Sequence, residues 1–424
     1  MKNEIGFEMA ASNIRFGPGI TRELGMDLAD MKVKHVMVLT DENLRTLPPV
    51  HTVLQSLEDA GIGFKLFDRV EVEPTDASFK KAIEFGQSEP FDAFVAVGGG
   101  STMDTAKAVN LYTTYPADFF DYINAPIGKG KPVPGPLKPL FAVPTTAGTG
   151  SETTGVSIFD LIEMRAKTGI AHRYLKPTLG IIDSENTRTL PPAVAASTGL
   201  DVLSHALESY TAIPYQTRTL PERPTLRPAY QGSNPISDVW SLQALRMVAE
   251  YLTRAVEEQD DESRGMMLLA ASYAGVGFGN AGCHLPHGMS YPVSGMVKSY
   301  NPDGYPVDYP IIPHGTSVIL NAPAVFRFTA AACPERHLEG AAVLGVDVSN
   351  ISNDDAGNVL SDRILEFMQR LNIPNGLSEV GYGSEDIPAL VEGTLPQHRV
   401  TKLSPRPAGA EDLAAMFEDA LNYW

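Results

Sequence analysis

One stretch of this chain leaves few folds open. In FDAFVAVGGGSTMDTAKAVNLY (91–112) an apolar run, Phe94 to Val97, passes directly into Gly98, Gly99, Gly100 and Ser101, where a helical pattern begins. A buried strand that feeds a glycine turn and then a helix belongs to a βαβ unit, and so to a mostly parallel sheet covered by helices. Similar units precede it. HVMVLTD (35–41) and GFKLFDRV (63–70) read as strands, and LPPVHTVLQSLEDAG (47–61) and FKKAIEFGQSEP (79–90) as helices. After a Pro/Gly-rich loop (123–139), LFAVP (140–144) and TLGIID (178–183) complete the strand pattern.

Glycines let a backbone approach a phosphate closely, and the N–H groups at a helix start favour its charge. A tight turn with no ligand explains GGGS about as well, since the spacing is not G-x-G-x-x-G and the turn does not follow the first strand. Asp41, at the end of an early strand, reads either as an acceptor for a ribose hydroxyl that would repel a 2′-phosphate, favouring NAD over NADP, or as an N-cap. The hydroxyl-rich loop with Thr145, Thr146, Thr149 and Ser151 suits a pyrophosphate or simply a turn.

Beyond Pro191 and Pro192 the character changes to helical patterns and loops. Ser237 is the expected cap of SDVWSLQALRMVAEYLTRAV (237–256), and two long irregular segments, Pro214 to Pro235 and Pro292 to Pro313, interrupt this half. In GLDVLSHALESYTA (199–212), Asp201 and His205 are four residues apart, on one face of a helix. With His287 and His314 they would make one carboxylate and three imidazoles, a set suited to Fe²⁺ or Zn²⁺ and unlike the all-oxygen shells of Ca²⁺ and Mg²⁺. An i, i+4 Asp and His pair taken alone reads as readily as a capped or solvated pair.

The 424 residues suggest two or three domains. With 33 Lys and Arg against 51 Asp and Glu, a net charge of −18 gives no sign of a nucleic-acid or anionic-membrane partner. No apolar run is long enough to span a membrane. Two cysteines, Cys283 and Cys333, make no disulfide framework. With no signal or transit pattern in the first residues, a cytoplasmic location is expected.

Taken together, GGGSTMDTAK (98–107), PTTAGTGSE (144–152), DVLSH (201–205), HGM (287–289) and PHG (313–315) resemble the iron-containing, group III alcohol dehydrogenases. The resemblance implies a dehydroquinate synthase-like architecture. Residues 1–190 would be an α/β, Rossmann-like NAD-binding domain and 191–424 an all-helical metal-binding and catalytic domain, with the site in the cleft between them. It implies Asp201, His205, His287 and His314 as metal ligands, with Fe²⁺ expected ahead of Zn²⁺. The implied cofactor positions are Asp41, Gly98, Gly99, Gly100, Ser101, Asp104, Thr145, Thr146, Thr149, Ser151 and Lys167. Many members carry a second histidine four residues after the HGM histidine, thought to assist proton movement. Tyr291 stands there in this chain, and His284 is the candidate replacement.

RPAYQGSNPISDVW (227–240), FGNAGCHLPHGMSYPVSG (278–295) and the long insertion before IIPHG look like the hydroxyacid-oxoacid transhydrogenase subgroup. That subgroup passes a hydride from 4-hydroxybutyrate to 2-oxoglutarate. Arg218, Arg223, Arg227 and Lys298 are candidate partners for a substrate carboxylate. The alternatives are a general NAD-dependent alcohol dehydrogenase acting on primary alcohols, diols or aldehydes, and a non-catalytic metal- or nucleotide-binding protein. A homo-oligomer, a dimer as the simplest closed assembly, is expected.

Overall fold

A computed structural model describes residues 2–164 and 166–424. The chain forms two compact units: an α/β unit of Ala10–Leu190 with Gln259–Gly275, and a helical unit of Met1–Met9, Pro191–Glu258 and Val276–Trp424. The expected division at 190/191 is therefore corrected in two places. Residues 2–9 pack with the helical unit, where Glu4 takes the Arg227 guanidinium in a two-pronged ion pair. Residues 259–275 pack with the α/β unit, where Arg264 donates to the carbonyl of Arg188.

The α/β unit holds strands β1 (Asn13–Phe16), β2 (His35–Asp41), β3 (Gly63–Val70), β4 (Ala93–Gly98), β5 (Leu140–Pro144), β6 (Val156–Leu161), β7 (Ala166–Ala171) and β8 (Leu179–Ile182). Six of them pair in parallel in the order β1-β8-β5-β4-β2-β3. The antiparallel β6–β7 hairpin and the short β1 are additions to the strands expected from sequence. Helices α1 (Leu24–Asp30) and α2 (Pro48–Asp59) cover one face of the sheet, and α3 (Asp76–Gln87) and α4 (Gly100–Thr114) the other. On β4 the alternation sends Val95 and Val97 to the α1/α2 side and Phe94 and Ala96 to the α3/α4 side. A strand buried on both faces must be apolar throughout, which is why this segment reads as an unbroken hydrophobic run.

In chain order the later helices are α5 (Phe119–Tyr122), α6 (Pro192–Thr211), α7 (Pro235–Glu257), α8 (Asp261–Ala281), α9 (Leu285–Gly295), α10 (His314–Ile319), α11 (Ala322–Thr329), α12 (Pro334–Val343), α13 (Ala356–Arg370), α14 (Ile387–Thr394), α15 (His398–Thr401) and α16 (Ala410–Asp419). Helix α7 begins earlier than expected. Asn234 is its cap, accepting from the N–H groups of Ile236 and Ser237, and Pro235 takes the first helical position, where a missing N–H costs nothing. Helix α9 runs on through Pro292, so the irregular segment is shorter than expected at its start. From Gly199 to Thr211 every residue of α6 is buried. Polar side chains there need partners inside the protein, because water cannot reach them.

One buried ring makes the fold acid-sensitive. His337, on α12, is fully buried, with Nε2 on Thr329 Oγ1 at 2.9 Å and Nδ1 on the Cys333 carbonyl at 2.9 Å. Burial holds its pKa down to about 4, against the opposing pull of that carbonyl. Unfolded, the ring takes its proton near 6.5, so between these values the unfolded chain binds more protons and stability falls as pH falls. The full loss is about 3 kcal/mol. The urea midpoint is expected to drop between about pH 7 and pH 4.5, and His337→Gln to flatten that slope; an unchanged slope would remove this ring from the account.

Candidate functional site

In the helical unit, α6 carries Asp201 and His205 one turn apart, α9 brings His287 in its first turn, and His314 opens α10. Gly315 allows the last of these approaches, since a Cβ there would lie 2.1 Å from the Ser197 carbonyl oxygen on α6. Thr316 fixes the contact by donating both its N–H and its hydroxyl to Ser197 Oγ.

The four side chains converge, their donor atoms all within 4.8 Å of one another. From the Asp201 carboxylate, His287 Nε2 lies 3.5 Å away, His205 Nδ1 3.6 Å and His314 Nε2 3.9 Å. These distances are too long for good hydrogen bonds. They fit four donors about 2.1 Å from one ion, which lie about 3.4 Å apart at tetrahedral angles. Asp201 Oδ1, His205 Nδ1 and His287 Nε2 are buried with no hydrogen-bond partner. Three orphaned polar atoms facing one point are costly unless a cation fills it, so the residues fit a divalent metal.

The electrostatics of Asp201 and His205 agree. Burial would raise the Asp201 pKa, yet His205, then His314 and His287, hold it well below the usual carboxylate range. Burial, against the pull of Asp201, holds His205 down to about 3, which keeps the imidazole neutral as a ligand must be. The His205 ring stacks on Phe278, centroids 3.9 Å apart and 7° from parallel, which fixes its orientation.

Sequence reasoning missed Glu208. Fully buried on α6, it accepts from the N–H groups of His284 and His287 and from His287 Nδ1 at 2.7 Å. It lies three residues beyond His205 and seven beyond Asp201, a helical spacing that could have revealed it. A carboxylate on one ring nitrogen leaves the other free to bind metal.

The two candidate relay residues fare differently. His284 is fully buried, its Nε2 on Thr211 Oγ1 at 2.9 Å and its ring edge-on to Phe326. Burial holds its pKa down to about 4, so it is a packed neutral ring with no surface from which to exchange protons. Tyr291 receives a hydrogen bond from Arg399 Nη2 at 2.7 Å. Three of the four cations proposed from sequence for a substrate carboxylate are engaged elsewhere: Arg218 on the Tyr230 carbonyl, Arg227 on Glu4 and Lys298 on Asp386.

In the α/β unit the glycine turn and the threonine loop leave the carboxyl ends of adjacent strands. Gly98 pairs with Pro144 across β4 and β5, and Thr145 N–H donates to the Gly98 carbonyl. A Cβ on Gly99 would stand 3.1 Å from Thr146 Oγ1, and one on Gly100 2.6 Å from Thr149 Cγ2, so the loops touch only because these are glycines. No side chain caps α4, whose N-terminus follows the glycines.

Others of the expected cofactor positions are tied into the protein itself. Asp104 takes Ser151 Oγ at 2.7 Å and the Ile158 N–H at 2.9 Å, while buried Lys107 donates to Ser151 Oγ and the Val156 carbonyl. Ser101 Oγ accepts from the Glu73 N–H. Lys167, on β7, holds its ammonium against Glu73 at 2.6 Å and Asp160 at 3.2 Å. Asp41 Oδ1 closes a local turn by accepting from the N–H groups of Asn43 and Leu44.

Residues 11–184 match the family model for iron-containing alcohol dehydrogenase, and residues 229–421 that for the C-terminal part of the Fe-containing alcohol dehydrogenase family. The chain belongs to the iron-containing alcohol dehydrogenase family. It is 58% identical over 424 residues, 99% of this chain and 91% of the other, to the mitochondrial hydroxyacid-oxoacid transhydrogenase of Bos taurus. Its fold is similar to that of 1,3-propanediol oxidoreductase, with a TM-score of 0.85, 28% identity and coverage of 98% of this chain and 100% of that one. It is likewise similar to sulfoacetaldehyde reductase from Bifidobacterium kashiwanohense in complex with NAD⁺, with a TM-score of 0.78, 27% identity and coverage of 98% and 99%.

The family is one of oxidoreductases, so the reading as a non-catalytic binding protein falls. The cytoplasmic expectation is overturned as well, because relatives at this level of identity carry "mitochondrial" in their names. A low cysteine count reports a reducing environment and no particular address.

Proposed function

We propose that the protein is a hydroxyacid-oxoacid transhydrogenase, moving a hydride from 4-hydroxybutyrate to a retained nicotinamide and from there to 2-oxoglutarate. The observation that carries the reading is the cluster of Asp201, His205, His287 and His314 with its unpartnered buried donor atoms. The transhydrogenase name of a relative 58% identical over 99% of the chain narrows it to this reaction.

Asp201 and the three imidazoles would hold the metal, Fe²⁺ ahead of Zn²⁺ from the family's description, with a dimer as the working assembly. When bound, the metal supplies Lewis-acid polarisation of the substrate's alcohol oxygen. The other roles belong to the chain. Gly99, Gly100 and the uncapped start of α4 would receive the pyrophosphate, with Thr145, Thr146 and Thr149 closing over it. Asp41 Oδ2 would accept a ribose hydroxyl and repel a 2′-phosphate, favouring NAD. Asp104, Ser151 and Lys107 would hold the threonine loop in shape. Lys167, between two carboxylates, would orient the cofactor's polar edge.

The test is iron-loaded protein given 4-hydroxybutyrate, with and without 2-oxoglutarate and with and without added NAD. Formation of 2-hydroxyglutarate without added NAD, with little free NADH, is expected. NADH that accumulates only with added NAD, and faster with simple alcohols, would instead make the protein a general alcohol dehydrogenase.

A further inference from the structure

We infer that Arg399, framed by Tyr291 and Tyr230, is the subsite that receives the substrate's carboxylate. The inference rests on the transhydrogenase reading and adds to it the group that selects acids over plain alcohols.

Arg399 lies on α15 and is always charged. Its Nη2 donates to Tyr291 Oη at 2.7 Å, and its guanidinium carbon lies 5.1 Å from the centroid of the Tyr230 ring. Nη1 is buried and has no hydrogen-bond partner, and among the described residues no carboxylate lies within ion-pair distance of the group. Other arginines of this unit are answered: Arg336 by Asp238, Arg227 by Glu4 and Arg218 by the Tyr230 carbonyl. Among the described residues Arg399 Nη1 is the arginine nitrogen buried without any hydrogen-bond partner, and the fork the guanidinium presents matches a carboxylate.

Its position relative to the metal ligands is set from two sides. Tyr291 follows His287 by four residues on α9, so it projects from the same face about 6 Å further along. Tyr230 packs edge-on to Phe278, whose other contact is the stacked His205 ring. Gly288 permits the arrangement, since a Cβ there would lie 2.7 Å from Thr401 Cγ2 of α15. A tyrosine of the helix that carries His287 thus holds the arginine.

The chemistry of the two substrates fits one such subsite. In 4-hydroxybutyrate the carbon bearing the hydroxyl and the carboxylate are separated by two methylenes. In 2-oxoglutarate the same two methylenes separate the keto carbon from the distal carboxylate. In each, about 5 Å separates the reacting oxygen from the carboxylate carbon, by four bonds of about 1.5 Å. One cation held by Tyr291, itself a helical turn from His287, would therefore register both acids against the same nicotinamide face, as a transfer through a retained cofactor requires.

The experiment compares kcat/KM for 4-hydroxybutyrate and for 1,4-butanediol, which replaces the carboxylate by a neutral group, in the iron-loaded wild type, Arg399→Met, Arg399→Lys and Tyr291→Phe. Arg399→Met is expected to lower the acid-over-diol ratio about 100-fold, because a site built for a charged group loses that discrimination with its partner. The loss falls mainly on KM for the acid, and KM for 2-oxoglutarate in the second half-reaction rises in parallel. Arg399→Lys restores part of it as a point charge, and Tyr291→Phe shifts the ratio in the same direction. Should Arg399→Met not fold, the Lys and Phe variants decide. Ratios and acid KM values within about threefold of wild type, less than one methylene's worth of discrimination, overturn the subsite alone. A wild type that ignores 4-hydroxybutyrate while oxidising the diol overturns the transhydrogenase reading and the subsite with it.

Discussion

Alanine at Asp201 or at His287 is expected to remove bound metal and turnover together. Asp201 is the sole anion of the cluster and lies within 3.9 Å of a nitrogen of each of the three imidazoles. Without it three neutral rings would have to stabilise a dication in a buried place, with no charged ligand to offset desolvation. Without His287, one of the three buried donor atoms that lack any other partner is lost. Turnover should fall about 10⁴-fold, since the metal's share of the barrier is several kcal/mol. Metal analysis after dialysis gives the first readout. A second is independent of activity: a chelator lowers the melting temperature of the wild type, because metal binds only the folded chain, and leaves the alanine variants unmoved. Wild-type turnover in a metal-free Asp201→Ala protein would sink the ligand assignment.

How much of this was legible in the sequence follows the range of the interactions. The β4–glycine–α4 switch was readable because a strand buried on both faces and a turn of three glycines are both local. Asp201 and His205 were readable as a helical pair, while His314 reaches them through the contact that Gly315 allows with Ser197, more than a hundred residues earlier, and His287 through its hydrogen bonds to Glu208. Strand β1 is four residues long, and β7 reads AKTGIA without an alternating pattern, so both escaped notice. Ser237 competed with Asn234 for the α7 cap, and the proline at the first helical position was the overlooked signal. The choice of arginine was invisible. What removes Arg227 is Glu4, 223 residues away in sequence, and what distinguishes Arg399 is a partner it lacks.

Glu208 is the residue whose replacement tests how the site is held, apart from how it binds. Its two oxygens receive three donors: Oε1 the His287 N–H at 3.0 Å, and Oε2 both the His284 N–H at 3.1 Å and His287 Nδ1 at 2.7 Å. Burial would raise its pKa, but the His287 ring overcomes this and keeps it a carboxylate. As an acceptor it assigns the proton to Nδ1 and leaves the Nε2 lone pair aimed at the cluster. Glu208→Gln preserves the shape and breaks the pattern. Whichever way the amide is turned, its NH₂ faces at least one group that must itself donate. If it faces Nδ1, the ring must take the other tautomer, which puts a proton where the metal would bind. The expected result is a 10- to 100-fold (~1–3 kcal/mol) weaker metal affinity by chelator competition. Apo-protein stability should fall by about 1–3 kcal/mol for the donor left unsatisfied. Glu208→Asp keeps the acceptors but withdraws them by one methylene, so it should retain more metal affinity than Gln despite its shorter reach. A Gln variant that binds metal as tightly as wild type would mean that His287 is oriented by packing alone.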